Sequence, residues 1–324
     1  MTLSLVLLAC GKSPPELLEP DAPPPEPEAE VASAEPEVAS APPAAFASRM
    51  VAAGDVAWNP LDPSAPEGPA LAIVSGDPAV GPVQALMKFP PGYESGLHTH
   101  TADYTAVVLQ GGAAHGATED TLTVLGPGAW WTQPGGESHA DSCTGEADCI
   151  LYIGLDGPLD MAPAQASSPE NTMTVTAAAD VAWGPLMPEA PDGPQLAVLS
   201  GNPAEGSSRL MMQFPTGYAS GLHTHTADYT AAVVSGTHGH GAATDGLTAL
   251  ASGSHWTQAG GEAHADACDG GDPCTIVLEL HGPMDFALVT EQGAGDGAAP
   301  EGGEGGPEKG GKAGGKAPHK GAPG

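Results

Sequence analysis

Short apolar segments separated by Gly, Pro, Asn and Asp fill residues 46–290, and none shows the 3.6-residue period of an amphipathic helix. Such segments are typical of β-strands, and their close spacing is typical of a barrel or a sandwich. The pattern therefore predicts an all-β fold. The segments are LAIVSG, VQALMKF, YTAVVLQG, LTVLG, AWWTQ and CILYIGL in the first half, and QLAVLSG, SRLMMQF, YTAAVVSG, LTALASG, SHWTQ and CTIVLEL in the second.

The two sets of segments are copies of one unit. DVAWNPL begins at residue 55 and DVAWGPL at residue 180, an offset of 125 residues (180 − 55), and GLHTHTADYT occurs unchanged at 96 and at 221. A unit of roughly 110 residues has the size of one small β-barrel domain. The repeat predicts two tandem barrels, over residues 46–165 and 166–290.

The two ends of the chain differ in composition from the repeats. Residues 11–45 consist largely of Pro, Glu and Ala, and residues 291–324 are rich in Gly and Lys. Both lack the large apolar side chains that a packed core requires. We expect a disordered linker and a disordered tail.

The N-terminus resembles the signal of a bacterial lipoprotein. The apolar run in MTLSLVLLAC ends in Leu-Leu-Ala-Cys, although no Lys or Arg precedes it. The resemblance implies that residues 1–10 form a signal ending at Cys10, and that Cys10 carries the lipid. The expected location is the cell envelope, anchored to the outer membrane.

Charge limits the possible partners. The formal net charge is −32, from 40 acidic and 8 basic residues, and only Lys88 and Arg209 are basic between residues 50 and 290. A surface that binds phosphate groups needs clustered Lys and Arg. The composition excludes nucleic acid as a partner and leaves the oligomeric state open.

The cysteine count fits an exported protein. Cys10 stands alone, and Cys143/Cys149 and Cys268/Cys274 form two pairs, each spaced by six residues. In an oxidising compartment each pair can close a short disulfide loop, whereas free thiols or metal ligands are the alternatives.

Histidines in a fixed pattern are the main candidates for chemistry. His98 and His100 alternate on one predicted strand, so both side chains point to the same face. A Gly-rich turn later in the unit carries His139, which can supply a third imidazole. The second unit repeats the set as His223, His225 and His264. Three imidazoles can hold one divalent metal ion.

These positions resemble the two sequence motifs of the cupin superfamily. The first motif is filled by Gly92, His98, His100 and Gly111, and the second by Gly128, Pro134, Gly136 and His139. In the second unit, the matching residues are Gly217, His223, His225, Gly236, Gly253, Gly261 and His264, with Ala259 in place of proline. The resemblance implies a bicupin, with one jelly-roll barrel and up to one metal ion per unit.

The chain departs from the cupin pattern where that family often has a glutamate ligand. Tyr104 and Tyr229 occupy this position, and Asp103 and Asp228 precede them on the opposite strand face. We expect three neutral imidazoles as ligands. A tyrosine could ligate Fe(III) as phenolate, but its ordinary pKa near 10 favours packing in the core or hydrogen-bonding to a metal-bound group. Both tyrosines are candidate catalytic residues.

Other histidines and aromatic residues carry weaker signals. His115 and His240 match across the repeat and could lie at the surface or at the rim of the site. Trp131 and Trp256 are expected in the core rather than as a platform for substrate. The remaining histidines, which have no partner in the other unit, are expected to have no role in the site: His238, His255, His281 and His319.

Three functions remain open from the sequence. The metal, which could be Zn, Fe, Mn or Ni, could serve an enzyme of dioxygenase, isomerase or hydrolase type acting on a small oxygen-rich substrate. It could equally serve a non-catalytic module that binds or senses a small molecule. The third reading is a structural envelope protein in which the metal stabilises the barrels.

Overall fold

The structure, a computed structural model, describes residues 46–289. Three short 3₁₀ turns, at Ala53–Asp55, Glu119–Thr121 and Ala178–Asp180, accompany 25 strands. The first twelve strands are β1 Arg49–Val51, β2 Asn59–Pro60, β3 Ala70–Gly76, β4 Val83–Phe89, β5 His98–Thr99, β6 Tyr104–Gln110, β7 Gly112–Gly116, β8 Thr123–Leu125, β9 Trp130–Gln133, β10 Ala140–Thr144, β11 Cys149–Leu155 and β12 Ala162–Pro163. The others are β13 Thr174–Thr176, β14 Gly184–Pro185, β15 Gln195–Gly201, β16 Ser208–Phe214, β17 Tyr218–Ala219, β18 His223–Thr224, β19 Tyr229–Ser235, β20 Thr237–Gly241, β21 Thr248–Ala251, β22 His255–Gln258, β23 Ala265–Cys268, β24 Cys274–Leu280 and β25 Ala287–Leu288.

The strands form two antiparallel barrels in tandem, which confirms the predicted fold class. The seven-stranded sheet of the first barrel has the order β13-β9-β6-β11-β4-β3-β2, and the smaller sheets are β10-β7-β8 and β12-β5. The second barrel has the order β1-β22-β19-β24-β16-β15-β14, with smaller sheets β17-β23-β20-β21 and β18-β25. Among residues 46–289, no helix is suited by length and hydropathy to span a membrane.

The central strands are buried on both faces. In β6, Tyr104, Ala106 and Val108 face the interior of the first barrel, whereas Val107 and Leu109 face the second barrel. Side chains alternate along a strand, so two apolar partners, one on each face, account for an uninterrupted apolar segment. The described region therefore has one core inside each barrel and a third core between them.

The first strand of each repeat lies in the sheet of the other repeat. β1 pairs antiparallel with β22, and β13 pairs antiparallel with β9. Arg49 and Thr174 are separated by the repeat offset of 125 (174 − 49), so the exchange is reciprocal. It ties the two barrels together in addition to the shared core. The boundary expected between residues 165 and 166 stays a prediction.

Arg209 pairs with two carboxylates, and this buried ionic contact is one difference between the two barrels. Arg209 donates from Nε to Glu279 Oε2 at 2.8 Å and from Nη2 to Asp156 Oδ1 at 2.6 Å, although only 6% of its surface is exposed. The Gln84 amide donates to Glu279 Oε1 at 2.9 Å. A Cβ at Gly154, the repeat counterpart of Glu279, would lie 2.5 Å from Arg209 Nε and 2.5 Å from Glu279 Oε2.

Both predicted disulfides are present. Cys143 bonds to Cys149, and Cys268 bonds to Cys274. Each joins two strands of one barrel that are consecutive in sequence and lie in different sheets, β10 to β11 and β23 to β24. Cys10, the signal at 1–10, the linker at 11–45 and the tail at 291–324 lie outside the described residues.

Replacing Gly154 by Ala should destabilise the protein, because the new methyl group displaces Arg209 or Glu279 and leaves a buried charge without its partner. Breaking such a pair costs about 3 kcal/mol, which denaturant unfolding can measure. Gly126 is the matched control, since a Cβ there meets no atom within 4 Å. Equal stabilities of the two alanine variants would contradict the prediction.

Candidate metal centres

Backbone pairing brings the two histidine motifs of each barrel together. The His98 N–H donates to His139 O at 2.9 Å, and the His139 N–H donates to His98 O at 2.9 Å. His100 follows two residues after His98 and its carbonyl accepts from Gly136 N at 2.7 Å, where φ of +78° favours glycine. One ligand atom from each of the three histidines lies within 4.8 Å of the others.

The second barrel has the same arrangement. His223 and His264 exchange backbone hydrogen bonds of 2.8 and 2.9 Å, and the ligand atoms of His223, His225 and His264 also lie within 4.8 Å of one another. The structure thus places all six predicted histidines in two groups of three.

Every one of these imidazoles has its Nδ1 beside a backbone carbonyl oxygen. A carbonyl can only accept a hydrogen bond, so Nδ1 carries the proton and Nε2 keeps its lone pair. The first-barrel pairs are His98 with Gly96 (2.9 Å), His100 with Asp160, and His139 with Glu137 (3.3 Å). The second-barrel pairs are His223 with Gly221 (3.0 Å), His225 with Asp285, and His264 with Glu262 (3.2 Å).

Burial keeps four of these imidazoles neutral, those of His100, His139, His223 and His264. Removal from water disfavours the charged ring, which lowers the pKa of His139 to about 3 and that of His264 to about 4. The same cause lowers the pKa of His100 and of His223. Histidine binds a metal ion as the neutral imidazole, through a ring nitrogen that carries no proton.

A carboxylate faces each group of histidines, and the sequence reasoning missed it. Asp141 Oδ2 lies 3.6 Å from His98 Nε2 and 3.8 Å from His139 Nε2. In the second barrel, Asp266 Oδ2 lies 3.5 Å from His223 Nε2 and 3.8 Å from His264 Nε2. Each expected set of three imidazoles therefore has an acidic neighbour. This acid follows the histidine of the second motif, whereas the glutamate ligand common in cupins belongs to the first motif. The repeated sequence His-Ala-Asp could have revealed it, since residues i and i+2 share a strand face.

Hydrogen bonds keep these carboxylates ionised. Burial is the largest single influence and works to raise the pKa of Asp141, but the hydrogen bond from His115 Nδ1 to Oδ1 at 2.8 Å and the electrostatic effect of the surrounding histidines together outweigh it, and the pKa falls below its ordinary value. The pKa of Asp266 is also lowered: burial is the largest single influence and works to raise it, but the hydrogen bonds from His238 and His240 and the electrostatic effect of these two side chains together outweigh burial. Each centre thus combines three imidazoles, protonated at Nδ1, with one negative charge.

His115 and His240 lie neither at the surface nor at the rim. Both are buried, and the Nε2 of each faces a glutamine: Gln133 Oε1 at 3.2 Å in the first barrel and Gln258 Oε1 at 3.3 Å in the second. His238, for which no role was expected, contacts Asp266. His255 is buried and His281 is exposed, and neither belongs to a candidate centre, whereas His319 lies outside the described residues.

The two tyrosines lie beside the histidines. The Tyr104 hydroxyl is 3.1 Å from His139 Nε2, and the Tyr229 hydroxyl is 3.1 Å from His264 Nε2. Burial raises the pKa of both phenols well above the ordinary value near 10, so each hydroxyl is protonated and donates to Nε2.

The neighbours of the tyrosines behave as the sequence predicts. Trp131 and Trp256 are buried in the barrel cores, and the Nε1 of each donates to its tyrosine hydroxyl at 3.4 Å. Asp103 faces away from the centre and accepts from Gly135 N at 2.6 Å. Asp228 likewise accepts from Gly260 N at 2.7 Å.

Each centre opens into a largely apolar cavity. The first cavity has a volume of about 300 Å³ and its walls include Met87, Phe89 and Leu151. The second has a volume of about 480 Å³, and Phe286 at its mouth stacks on His223 with ring centroids 4.5 Å apart. Among the described residues that line the cavities, none is Lys or Arg.

The donor atoms fit a divalent first-row metal ion. Six imidazole Nε2 lone pairs converge in two groups, and each group has one carboxylate oxygen beside it. Imidazole together with carboxylate suits Zn, Fe, Mn and Ni alike. The chemistry of the donors supports metal binding without selecting the metal.

Comparison with solved structures shows the fold. The chain aligns with a protein from Nostoc punctiforme PCC 73102 for which dioxygenase activity has been suggested, at 11% identity and a TM-score of 0.55, over 72% of this chain and 82% of that one. It also aligns with Ylba from E. coli, of the DUF861 family, at 13% identity and a TM-score of 0.49, over 72% and 90%. The formate complex of oxalate decarboxylase from Lactobacillus farciminis aligns at 11% identity and a TM-score of 0.48, over 74% and 88%.

Comparison at the sequence level gives one family. No curated protein matches the chain. The model of a domain of unknown function, DUF4437, matches residues 49–213 and, in a second match, 174–275. The structural neighbours have the cupin fold, and the likeness shows that fold for the described residues of this chain. The chain belongs to the DUF4437 family and consists, over its described residues, of two cupin barrels.

Proposed function

We propose that the protein is a metal-dependent enzyme with one centre in each barrel, acting on a small uncharged substrate that contains oxygen. His98, His100 and His139 would hold the first ion, and His223, His225 and His264 the second. Asp141 and Asp266 would supply the adjacent carboxylate. A bound divalent ion would act as a Lewis acid on an oxygen atom of the substrate.

One observation carries this proposal. All six Nδ1 atoms donate to backbone carbonyl groups, which leaves the Nε2 lone pairs free, and the ligand atoms of each barrel lie within 4.8 Å of one another. In the absence of an ion, the lone pairs of each group gain nothing from one another, although those of His139 and His264 accept from the tyrosine hydroxyls. Fixing the tautomer through the outer nitrogen is the usual support of a histidine that ligates a metal.

The walls of the cavities favour an uncharged substrate with an apolar body. Neither cavity presents Lys or Arg from the described residues, and the acid beside each centre repels a second anion. A volume of about 300 Å³ in the first barrel limits that substrate to a small molecule.

Tyr104 would assist the reaction as a hydrogen-bond donor. Trp131 Nε1 donates to the phenol oxygen, which leaves the phenol proton free to point towards the centre. Its raised pKa keeps that proton in place at neutral pH. Once His139 Nε2 ligates a metal ion, the proton would be available to an oxygen atom of the substrate.

We also propose that the protein is anchored in the cell envelope through Cys10. The lipoprotein-like segment at 1–10 and the disulfides of both barrels support this location, because disulfides persist in oxidising compartments. The Pro-rich segment at 11–45 would then act as a spacer between the lipid and the barrels.

Metal content tests the proposed centres directly. The purified protein should contain two divalent ions per chain by elemental analysis, with zinc as the expected ion because imidazole binds it strongly. Replacing His98 and His100 together by Ala should remove one ion, whereas His281→Ala, at an exposed position, should remove none. An unchanged ion content in the double variant would rule out the first centre.

Replacement of Tyr104 by Phe should reduce turnover by about tenfold or more without changing the metal content, since it removes one hydrogen-bond donor from the reacting oxygen. The measurement needs a chain whose second centre is disabled by His223→Ala and His225→Ala. Assays of hydrolysis, isomerisation and oxygen uptake would supply the activity. Ligand binding without turnover in all three would favour the binding or sensing module instead.

Replacement of Cys10 by Ser should release the protein from the membrane fraction or block its processing, because the acceptor of the lipid is lost. Fractionation and mass spectrometry of the N-terminal peptide would measure both effects. Cys143→Ser, in a barrel disulfide, is the matched control and should leave lipidation intact. Recovery of the unaltered protein in the soluble fraction without detergent would argue against the anchor.

A further inference from the structure

The two centres differ at one buried position next to the carboxylate. His238 in β20 corresponds to Ala113 in β7, because the repeat offset is 125 residues (238 − 113). The exposed fraction is 0% for His238 and 2% for Ala113. The second barrel therefore has an additional imidazole in its interior.

This imidazole contacts the same oxygen atom as its neighbour. His238 Nε2 lies 3.0 Å from Asp266 Oδ1, and His240 Nδ1 lies 2.8 Å from that oxygen. In the first barrel, Asp141 Oδ1 has one histidine partner, His115 Nδ1 at 2.8 Å. Asp266 is thus held by two imidazoles where Asp141 is held by one.

Packing fixes the ring of His238 in this position. It stacks on Trp256 at a centroid distance of 5.2 Å and an interplanar angle of 8°, and it contacts Phe214 at 5.3 Å. Its Nδ1 has no hydrogen-bond partner among the described residues. Burying an unpartnered nitrogen costs free energy, and the hydrogen bond of Nε2 to Asp266 is the polar contact that offsets this cost.

The other oxygen of Asp266 faces the metal-binding atoms. Oδ2 lies 3.5 Å from His223 Nε2 and 3.8 Å from His264 Nε2. Because two N–H donors occupy Oδ1, the carboxylate is held against rotation and the lone pairs of Oδ2 remain available. A ligand fixed before the ion arrives loses less conformational freedom on binding.

We propose that His238 is a positioning residue for the second centre, which fixes Asp266 and makes this centre bind divalent ions more tightly than the first. The inference rests on the proposed function, because it requires Asp266 to face a bound ion. The sites would then fill in order as the metal concentration rises, the second barrel first.

The same three side chains could instead hold an ion of their own. Ligand atoms of His238, His240 and Asp266 lie within 4.8 Å of one another. The contacts of 2.8 and 3.0 Å from nitrogen to one oxygen are, however, hydrogen-bond lengths. Neither histidine lines the second cavity, so an ion between them would have no cavity water as a further ligand.

Zinc affinity in single-site forms of the full chain tests the proposal. The double variant His98→Ala/His100→Ala reports on the second centre, and His223→Ala/His225→Ala reports on the first. Competition with a zinc chelator should show tighter binding at the second centre. Adding His238→Leu, which keeps an apolar side chain but removes the donor, should weaken zinc binding there by about tenfold.

Two further readouts separate positioning from packing. His238→Gln, whose amide nitrogen can replace Nε2 as the donor, should restore most of the affinity lost in His238→Leu. The visible absorption of bound Co²⁺ should change in the leucine variant and return in the glutamine variant. Equal loss in both variants, with the same fall in melting temperature of the metal-free protein, would overturn the proposal.

The remaining outcomes are distinct. Absence of zinc binding in both single-site forms would contradict the proposed function itself. Zinc binding at the second centre with no effect of His238→Leu would overturn the positioning role alone. Two zinc ions in the form that lacks His98 and His100 would assign the second ion to His238, His240 and Asp266, and would likewise overturn it.

Discussion

The reciprocal backbone pairing of His98 with His139, and of His223 with His264, is the contact on which each candidate centre depends. These short bridges join two motifs that are 41 residues apart (139 − 98 and 264 − 223), with hydrogen bonds of 2.8 to 2.9 Å. The pairing sets the direction of the side chains, and the Nδ1 bonds to carbonyl groups then set the tautomer. The geometry of the donor atoms is therefore a property of the backbone, which a substitution far from the centre can disturb only by moving the strands.

The strands stay in place because the barrels are buried against each other as well as filled inside. β6, β11 and β4 of the first barrel contribute one face to its interior and the other to the shared core, and β19, β24 and β16 do the same in the second. The exchanged strands also hold the barrels together, since β1 forms one edge of the seven-stranded sheet of the second barrel and β13 forms one edge of that of the first. Such two-sided burial gives the candidate centres a rigid support, as a preorganised site requires.

Charge is distributed very differently inside and outside the barrels. The chain as a whole carries a formal net charge of −32, yet each candidate centre has one ionised carboxylate beside three imidazoles. The net negative charge of the chain attracts a cation towards the protein, and the carboxylate of each centre helps to hold it there. Both repeats have these three histidines and one carboxylate. They differ in the residues that contact the carboxylate, because His238 donates a hydrogen bond to Asp266 in the second barrel and its counterpart in the first barrel is Ala113.

Local patterns in the sequence determined the class of fold, the repeat, the six histidines, both disulfides and the core positions of Trp131 and Trp256, because strand alternation and fixed motif spacing are properties of neighbouring residues. The tertiary structure alone decided the contacts between distant residues. It placed Asp141 and Asp266 at the centres, buried His115, His238 and His240 behind them, and paired β1 and β13 with the opposite repeats. The sequence of an apolar strand does not show which part of the protein covers its second face. The position of an acidic residue in a strand does not show which side chains it will contact. Both depend on how the sheets close and pack against each other.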